Sequence, residues 1–204
     1  MLFLKYVVED TFVGGMIKPR PIPLFFFAFA SVVACRQDLD RAEYINWVQD
    51  YENGLHAKKT FSEFIFDIQY QPTSYVALLN ENTPTAQSST LEHYILRIAL
   101  AEPTMDVVSY SANSQSEKQE RLYYFSYLFQ HDIYLEVEGK RIPCVLFHSE
   151  PTDLKKVRTF VLGFESGEGN VSPGEVTFVI DSPKFSSLPI RVKILQQDIP
   201  KLKI

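Results

Sequence analysis

From Lys58 onward, short apolar runs recur at fairly regular spacing, and turn-forming residues separate them. Apolar and polar residues often alternate within a run, as they do in strands that bury one face. The predicted strands are Thr60–Tyr70, Leu91–Leu100, Leu122–Phe129, Ile133–Glu138, Ile142–His148, Thr159–Glu165, Glu175–Asp181 and Ile190–Gln196, with Met105–Tyr110 as a further short candidate. This pattern predicts a mainly β fold, an antiparallel β-sandwich (immunoglobulin-like or similar) of about 7–9 strands.

The clearest local signal is a hairpin. Ile133–Glu138 and Ile142–His148 are separated by a short segment that begins with Gly139 and Lys140. A glycine between two alternating runs is typical of a tight hairpin turn. We therefore expect these two strands to pair.

One short amphipathic helix is predicted ahead of the strands. Asp38–Glu52 contains an imperfect apolar stripe at helical spacing. Asn53 and Gly54 follow, and both tolerate the left-handed conformation that ends many helices. Trp47 lies in this segment, and we expect it to pack on the body of the protein, although a ligand-stacking role is the alternative.

The most apolar part of the chain lies near its start. Leu24–Ala34 is an uninterrupted apolar run, with Lys18 and Arg20 shortly before it and Cys35 directly after it. A cationic segment, a short apolar run and a small residue before a cleavage point form a secretory signal peptide. The run is too short for the ~30 Å membrane core, which takes about 20 helical residues.

Two alternatives for this segment are a buried core element and an uncleaved signal anchor. Phe25-Phe26-Phe27 gives no alternation, and Pro19, Pro21 and Pro23 would disrupt the start of a regular element, so a core element is disfavoured. Residues 1–15 place acidic side chains ahead of the apolar run, where a signal peptide has positive charge. We therefore expect translation to start at Met16, with residues 1–15 as an extension of the annotated sequence.

Val32-Val33-Ala34-Cys35 resembles a bacterial lipobox, in which the cysteine is lipidated and becomes the mature N-terminus. The layout resembles that of small envelope lipoproteins of Bacteroidota. With the patterns described above, it predicts a signal peptide at 1–34, a lipid tether and helix at 35–57, and a β-sandwich domain at 58–204. It also implies lipidation at Cys35, anchoring in a bilayer, and a place in the bacterial envelope, in the outer membrane facing either the periplasm or the surface.

Charge and cysteine content limit the other partners. The whole chain has a net charge of −5 and no basic stripe, so nucleic acid is an unsuitable partner. Cys144 is the only cysteine besides Cys35, and it lies in the apolar run Ile142–Phe147. We expect a buried, inert thiol there, because catalytic cysteines need accessible, electropositive surroundings.

No catalytic, metal or cofactor motif emerges from the residue spacing. The four histidines are His56, His93, His131 and His148, and no pair has zinc-ligand spacing. On a strand, His131 and Asp132 would point to opposite faces, whereas His148 and Glu150 would share one. The acidic loop Glu165–Asn170 could hold calcium, but a hairpin turn explains its glycines equally well.

The aromatic residues leave a binding function open. Tyr70, Tyr75, Tyr94 and Tyr124 could form a stacking platform for a sugar or peptide, although packing is the favoured interpretation. The leading hypothesis is a non-enzymatic accessory subunit of an outer-membrane or secretion assembly, with envelope proteins as partners. The alternatives are a ligand-binding lipoprotein for glycan or peptide and, third, a hydrolase. Buried tyrosines favour the accessory role, and an exposed tyrosine row or a concave pocket favours ligand binding.

Overall fold

The computed structural model describes residues 38–79, 91–103, 105–151, 156–165 and 174–203. Within them the α-helices are α1 (Arg41–Gln49), α2 (Thr73–Leu79) and α3 (Gln115–Tyr123). The strands are β1 (His56–Phe61), β2 (Phe64–Gln71), β3 (Leu91–Leu100), β4 (Ile133–Val137), β5 (Lys140–Ser149), β6 (Arg158–Glu165), β7 (Glu175–Ile180) and β8 (Ile190–Leu195). The signal segment and the lipidation site at Cys35 lie outside the described residues, as do residues 166–170 of the acidic loop.

All eight described strands belong to one sheet, in the order β1-β2-β3-β6-β5-β4-β7-β8. Every neighbouring pair is antiparallel. The prediction of a mainly β, antiparallel fold is therefore confirmed. The predicted helix before the strands corresponds to α1, which Asp40 caps by accepting a hydrogen bond from the Glu43 N–H at 2.9 Å.

The sheet curls until its two edge strands meet. Lys59 Nζ, on β1, donates to the Arg191 carbonyl on β8 at 2.8 Å. The Leu195 N–H of β8 donates to the Gly54 carbonyl, just before β1, at 3.0 Å. The inward face of the curled sheet encloses the core, where the Tyr94 and Phe178 rings lie 5.8 Å apart.

β5 lies between β4 and β6 in the sheet, and it contains a bulge. Its first residues pair with β4, and from Cys144 onward it pairs with β6. The register shifts between Cys144 and Leu146, which leaves Val145 as the extra residue. A bulge bends a strand and increases its twist, so it helps the sheet to curl at β5.

The predicted hairpin of β4 and β5 is confirmed. Its turn is Glu138-Gly139, with φ of 49° and 77°, one residue earlier than the sequence suggested. A second hairpin was missed, because the predicted single strand Thr60–Tyr70 contains a turn at Ser62-Glu63. Apolar residues continue on both sides of that turn, and Ser62 adopts a left-handed φ of 52° without being glycine or asparagine.

Two predicted strands were wrong. Leu122–Phe129 continues α3 into a π-helical segment, Tyr124–Leu128, and a 3₁₀ turn. Phe125 and Phe129 are four residues apart, so a helix places both on one face, and both are fully buried. Met105–Tyr110 forms a turn in which the Asp106 side chain accepts hydrogen bonds from the N–H groups of Val108 and Ser109.

Gly163, on β6, lies where the side chain of Leu146 crosses from β5. A β-carbon built on Gly163 would lie 2.9 Å from the Leu146 Cβ, closer than non-bonded carbons approach. Gly163→Ala should therefore lower the free energy of unfolding by about 1–3 kcal/mol. Urea unfolding of Gly163→Ala, Leu146→Ala and the double variant measures this. Leu146→Ala keeps the Cβ, so the double variant should recover only the part of the loss that comes from the rest of the leucine side chain. An unchanged free energy of unfolding in Gly163→Ala would contradict the close contact.

Candidate functional site: a polar groove on the outer face of the sheet

The outward side chains of β1, β2, β3, β6 and β5 line up in three rows across the sheet. The histidine row is His56, Gln69, Ile95, Val161 and His148. The arginine row is Lys58, Asp67, Arg97, Thr159 and Glu150, the last joined to Thr159 by a backbone hydrogen bond of 2.9 Å. The glycine row is Gln71, His93, Gly163 and Leu146.

These rows form the floor of a groove of about 1040 Å³. All their residues except Lys58, His148 and Gly163 line it. Its wall comes from the end of α1 with Tyr51, and from α2. The groove is large enough for a ligand of at least drug size, and polar side chains dominate its floor.

Side-chain hydrogen bonds fix the wall. Tyr44 and Ser74 join α1 to α2 through their hydroxyl groups at 2.9 Å. Gln49 Nε2 donates to the Tyr75 hydroxyl at 3.0 Å. Beneath them, a small apolar cluster of Tyr44, Val48, Leu55 and Tyr75 is buried. The two helices therefore hold their positions over the sheet independently of any ligand.

Asp67 is the centre of the polar network in the groove. Its Oδ2 accepts from the Tyr51 hydroxyl at 2.6 Å, and its Oδ1 accepts from His56 Nε2 at 2.8 Å. Arg97 lies farther away, with its NH1 3.3 Å from Oδ1. Burial alone would raise the pKa of Asp67, but the hydrogen bonds from His56 and Tyr51 and the charges of His56 and Arg97 outweigh it and lower that pKa.

His56 is held on both sides of its ring. Its Nδ1 lies 2.9 Å from the Gln49 carbonyl, and its Nε2 faces the Asp67 carboxylate. Both neighbours carry hydrogen-bond acceptors, so each ring nitrogen faces an acceptor and is engaged. The ring also stacks on Tyr51, with centroids 3.7 Å apart. With both nitrogens engaged, His56 positions Asp67 and Tyr51 and has no nitrogen available to take a proton from a substrate.

Asp67→Asn should lower the free energy of unfolding by about 1–3 kcal/mol at pH 7, because the carboxylate accepts charge-assisted hydrogen bonds. The pKa of Asp67 is lower in the folded protein than in the unfolded chain, where it is about 3.9. Its contribution is therefore present above that value and is lost as the pH falls through the folded-state pKa. Urea unfolding from pH 7 to pH 3 should show the difference between wild type and Asp67→Asn shrinking. Asp181→Asn, at an exposed site, is the control, and a pH-independent difference would contradict the assignment.

Two further polar residues lie in the floor. Gln69 is only 3% exposed, and its Nε2 is buried with no hydrogen-bond partner among the described residues. An unsatisfied buried donor costs about 1–3 kcal/mol. His93 is on the neighbouring glycine row, and burial lowers its pKa, which favours the neutral ring at pH 7.

The structure separates the four histidines considered in the sequence. His56 and His93 both line the groove, on adjacent rows. His148 is exposed at the β5 end of the histidine row, and Glu150 is exposed on the arginine row. His131 is exposed on the 3₁₀ turn before β4, so the strand argument for His131 and Asp132 was wrong. Asp132 instead accepts a hydrogen bond from the Tyr124 hydroxyl.

The four tyrosines proposed as a stacking platform do not form one. Tyr94 is fully buried in the core, and Tyr75 is buried under the groove wall. Tyr70 packs against Tyr94, with ring centroids 5.1 Å apart, and Tyr124 bonds to Asp132 and Ser182. The sequence analysis missed Tyr51, which lines the groove and is 47% exposed.

Cys144 is buried, as its apolar run indicated. The residue is 7% exposed, and its Sγ donates to the Leu146 carbonyl at 3.0 Å. Burial raises the pKa of the thiol to about 11. A thiol in this setting remains protonated at neutral pH and is a weak nucleophile.

Across the described ranges, no group of three or more His, Cys, Asp or Glu residues has metal-binding geometry. Of the proposed calcium loop only Glu165, exposed at the end of β6, is described. No described helix combines the length and apolar character needed to cross a membrane.

Comparisons with protein-family models, with curated proteins and with solved structures find no match to this chain. The functional argument therefore depends on the geometry of the groove.

Proposed function

We propose that this protein is a lipid-anchored binding module of the bacterial envelope, and that it takes a glycan in the groove. The main support is the groove itself, a concave site of about 1040 Å³ with Gln, His, Asp and Arg side chains across its floor. Concave sites with convergent polar groups are the usual places where proteins bind small and medium ligands.

The kind of hydrogen-bonding group favours a glycan over a peptide. The backbone groups of the groove floor are used in the sheet ladder, so a ligand meets side chains only. Gln49, Gln69 and Gln71 each carry an amide that can donate and accept, which suits hydroxyl groups that also do both. The exposed ring of Tyr51 adds an apolar face for one side of a sugar ring.

Binding without turnover is supported by the state of the two acid–base groups at the centre of the network. The Asp67 carboxylate and both nitrogens of His56 are engaged with each other or with neighbours. General catalysis requires a group that can exchange a proton with the substrate. We therefore propose that the network holds Tyr51 and Asp67 in place and that the protein is not an enzyme.

We also propose that the curled sheet is best described as a sandwich. The halves β1-β2-β3-β6 and β4-β7-β8 face each other across one core, and β5 turns the corner between them. This arrangement leaves the outer face of the first half free to carry the groove.

A pair of tyrosine variants tests the glycan function. Tyr51→Ala should weaken binding of a selected oligosaccharide about tenfold, because a stacked aromatic ring contributes about 1 kcal/mol or slightly more. Tyr123→Ala is the matched control, since Tyr123 is 57% exposed on α3 and does not line the groove. A panel of immobilised oligosaccharides and peptides, probed with the full chain in mild detergent, supplies the ligand. Binding to peptides alone, or equal loss in both variants, would contradict the proposal.

The accessory-subunit function has separate support in an exposed apolar ridge, defined as Leu122, Tyr123, Tyr127 and Leu128. All four side chains are exposed, and the two tyrosine rings lie 5.2 Å apart. Exposed apolar clusters favour protein–protein contact. The edge strands β1 and β8 are less suited to docking, because they approach each other. This role predicts that an envelope partner co-purifies with wild type and with Tyr51→Ala but not with Tyr123→Ala. Loss of the partner in Tyr51→Ala and its retention in Tyr123→Ala would contradict the role.

A further inference from the structure

The guanidinium of Arg97 lies in the middle of the groove floor with most of its hydrogen-bonding capacity unused. Its side chain is 38% exposed. Within the described ranges it makes a single polar contact, from its NH1 to Asp67 Oδ1 at 3.3 Å. A guanidinium has five N–H donors in a rigid fork that fits an oxyanion through two parallel hydrogen bonds. Arg97 makes no such paired contact with Asp67.

Asp67 does not need Arg97 as a partner. It already accepts from Tyr51 at 2.6 Å and from His56 at 2.8 Å, both shorter than the contact to Arg97. Both oxygens of the Asp67 carboxylate therefore have a partner without Arg97, Oδ2 in Tyr51 and Oδ1 in His56. Arg97 forms an ion pair with Asp67 through one nitrogen, and the rest of its donor fork has no hydrogen-bond partner among the described residues.

A second unused donor lies beside Arg97. Gln69 follows Asp67 by two residues on β2, so the two side chains share the outer face. Gln69 pairs with Ile95, which places it diagonally next to Arg97. Its Nε2 is buried, and none of the described residues is its hydrogen-bond partner. Gln69 lines the groove, and the terminal torsion of glutamine is broad, so rotation about it can present this donor to a ligand.

We propose that Arg97 and Gln69 together bind a carboxylate on the ligand, and that the preferred ligand of the groove is an acidic oligosaccharide. This inference rests on the proposed glycan function and specifies its substrate class. A carboxylate suits the site better than a phosphate dianion, because Asp67 lies one strand from Arg97 and Glu150 two strands away on the arginine row. At about 4.8 Å per strand, both carboxylates would repel a second negative charge.

Paired oligosaccharides test the proposal. Isothermal titration of the full chain in mild detergent would compare an oligogalacturonate with the neutral galactose oligomer of the same length. We expect at least tenfold tighter binding of the acidic oligomer, lost in Arg97→Gln and partly kept in Arg97→Lys, because lysine retains the charge without the paired geometry. Arg191→Gln, at an exposed ion pair with Glu136, should bind as wild type does.

The outcomes separate this inference from the function on which it rests. Equal affinity of wild type for the acidic and neutral oligomers would overturn the carboxylate site and leave the glycan function standing. Binding of neither oligomer, with none from a wider panel, would overturn both. Inorganic phosphate is added in competition at the same concentration as the oligogalacturonate. If the phosphate displaces the sugar, the site is a general anion site, and the carboxylate assignment is overturned. If Arg97→Gln melts far below wild type, the Arg97→Lys variant decides the proposal instead. An unchanged preference of Arg97→Lys for the acidic oligomer over the neutral one would contradict the proposal.

Discussion

Replacing Gly54 by alanine should lower the free energy of unfolding by about 3 kcal/mol. Gly54 has a φ of +78°, a left-handed conformation that costs a residue with a β-carbon roughly 1–2 kcal/mol. The new Cβ would also lie 2.7 Å from the Leu195 Cβ, and such overpacking costs about 1–3 kcal/mol. In a chain of this size, that loss corresponds to a melting temperature about 6–12 °C lower.

Gly139→Ala provides the matched control. Gly139 has nearly the same φ, +77°, but a Cβ there meets nothing within 4 Å. It should therefore lose only the conformational part, about 1–2 kcal/mol. Thermal melts of the two variants separate conformation from contact. Equal melting temperatures would mean that β8 does not pack against Gly54, and the closure of the sheet at its edges would then be wrong.

Cys35→Ser should move the protein from the membrane fraction to the soluble fraction almost completely. The prediction comes from Val32-Val33-Ala34-Cys35 after the apolar run. Multiple acyl chains give stable membrane anchoring, whereas a single chain is marginal, so loss of the proposed lipidation site should remove the anchor. Labelling with a clickable fatty acid should mark wild type and leave Cys35→Ser unmarked.

Cys144→Ala is the control for the labelling experiment. Cys144 is the other cysteine of the chain, and it is buried with a raised pKa, so the variant should be labelled as strongly as wild type. Equal labelling of Cys35→Ser and wild type would end the lipoprotein assignment. The groove proposal would remain, because the described residues that form the groove all lie downstream of Cys35.

The local elements could be predicted from the sequence where the apolar pattern and the turn-forming residues agreed. Leu91–Leu100 was predicted with the bounds that β3 has, and Gly139 marked the hairpin of β4 and β5. The π-helical segment was missed because its aromatic residues also suit strands, and only burial of Phe125 and Phe129 on one face reveals the helix. The Ser62 turn was missed because serine is a weak turn signal.

The groove was not predictable in the same way. Asp67, Gln69 and Gln71 alternate with apolar residues on β2, which is a sign of a polar outer face and was available in the sequence. What brings Arg97 next to Asp67 is the register between β2 and β3, which long-range pairing determines. The position of α1 and α2 over that face depends on contacts such as Tyr44 to Ser74, thirty residues apart in the chain.

The central claim is that the groove binds the ligand, and a backbone amide NMR titration tests it most directly. The full chain in detergent micelles would be titrated with the tightest oligosaccharide from the panel. We predict that the largest shift changes fall on the floor and wall of the groove, at Tyr51, Asp67, Gln69 and Arg97. Shift changes confined to the apolar ridge at Leu122–Leu128, with the groove unaffected, would contradict the claim.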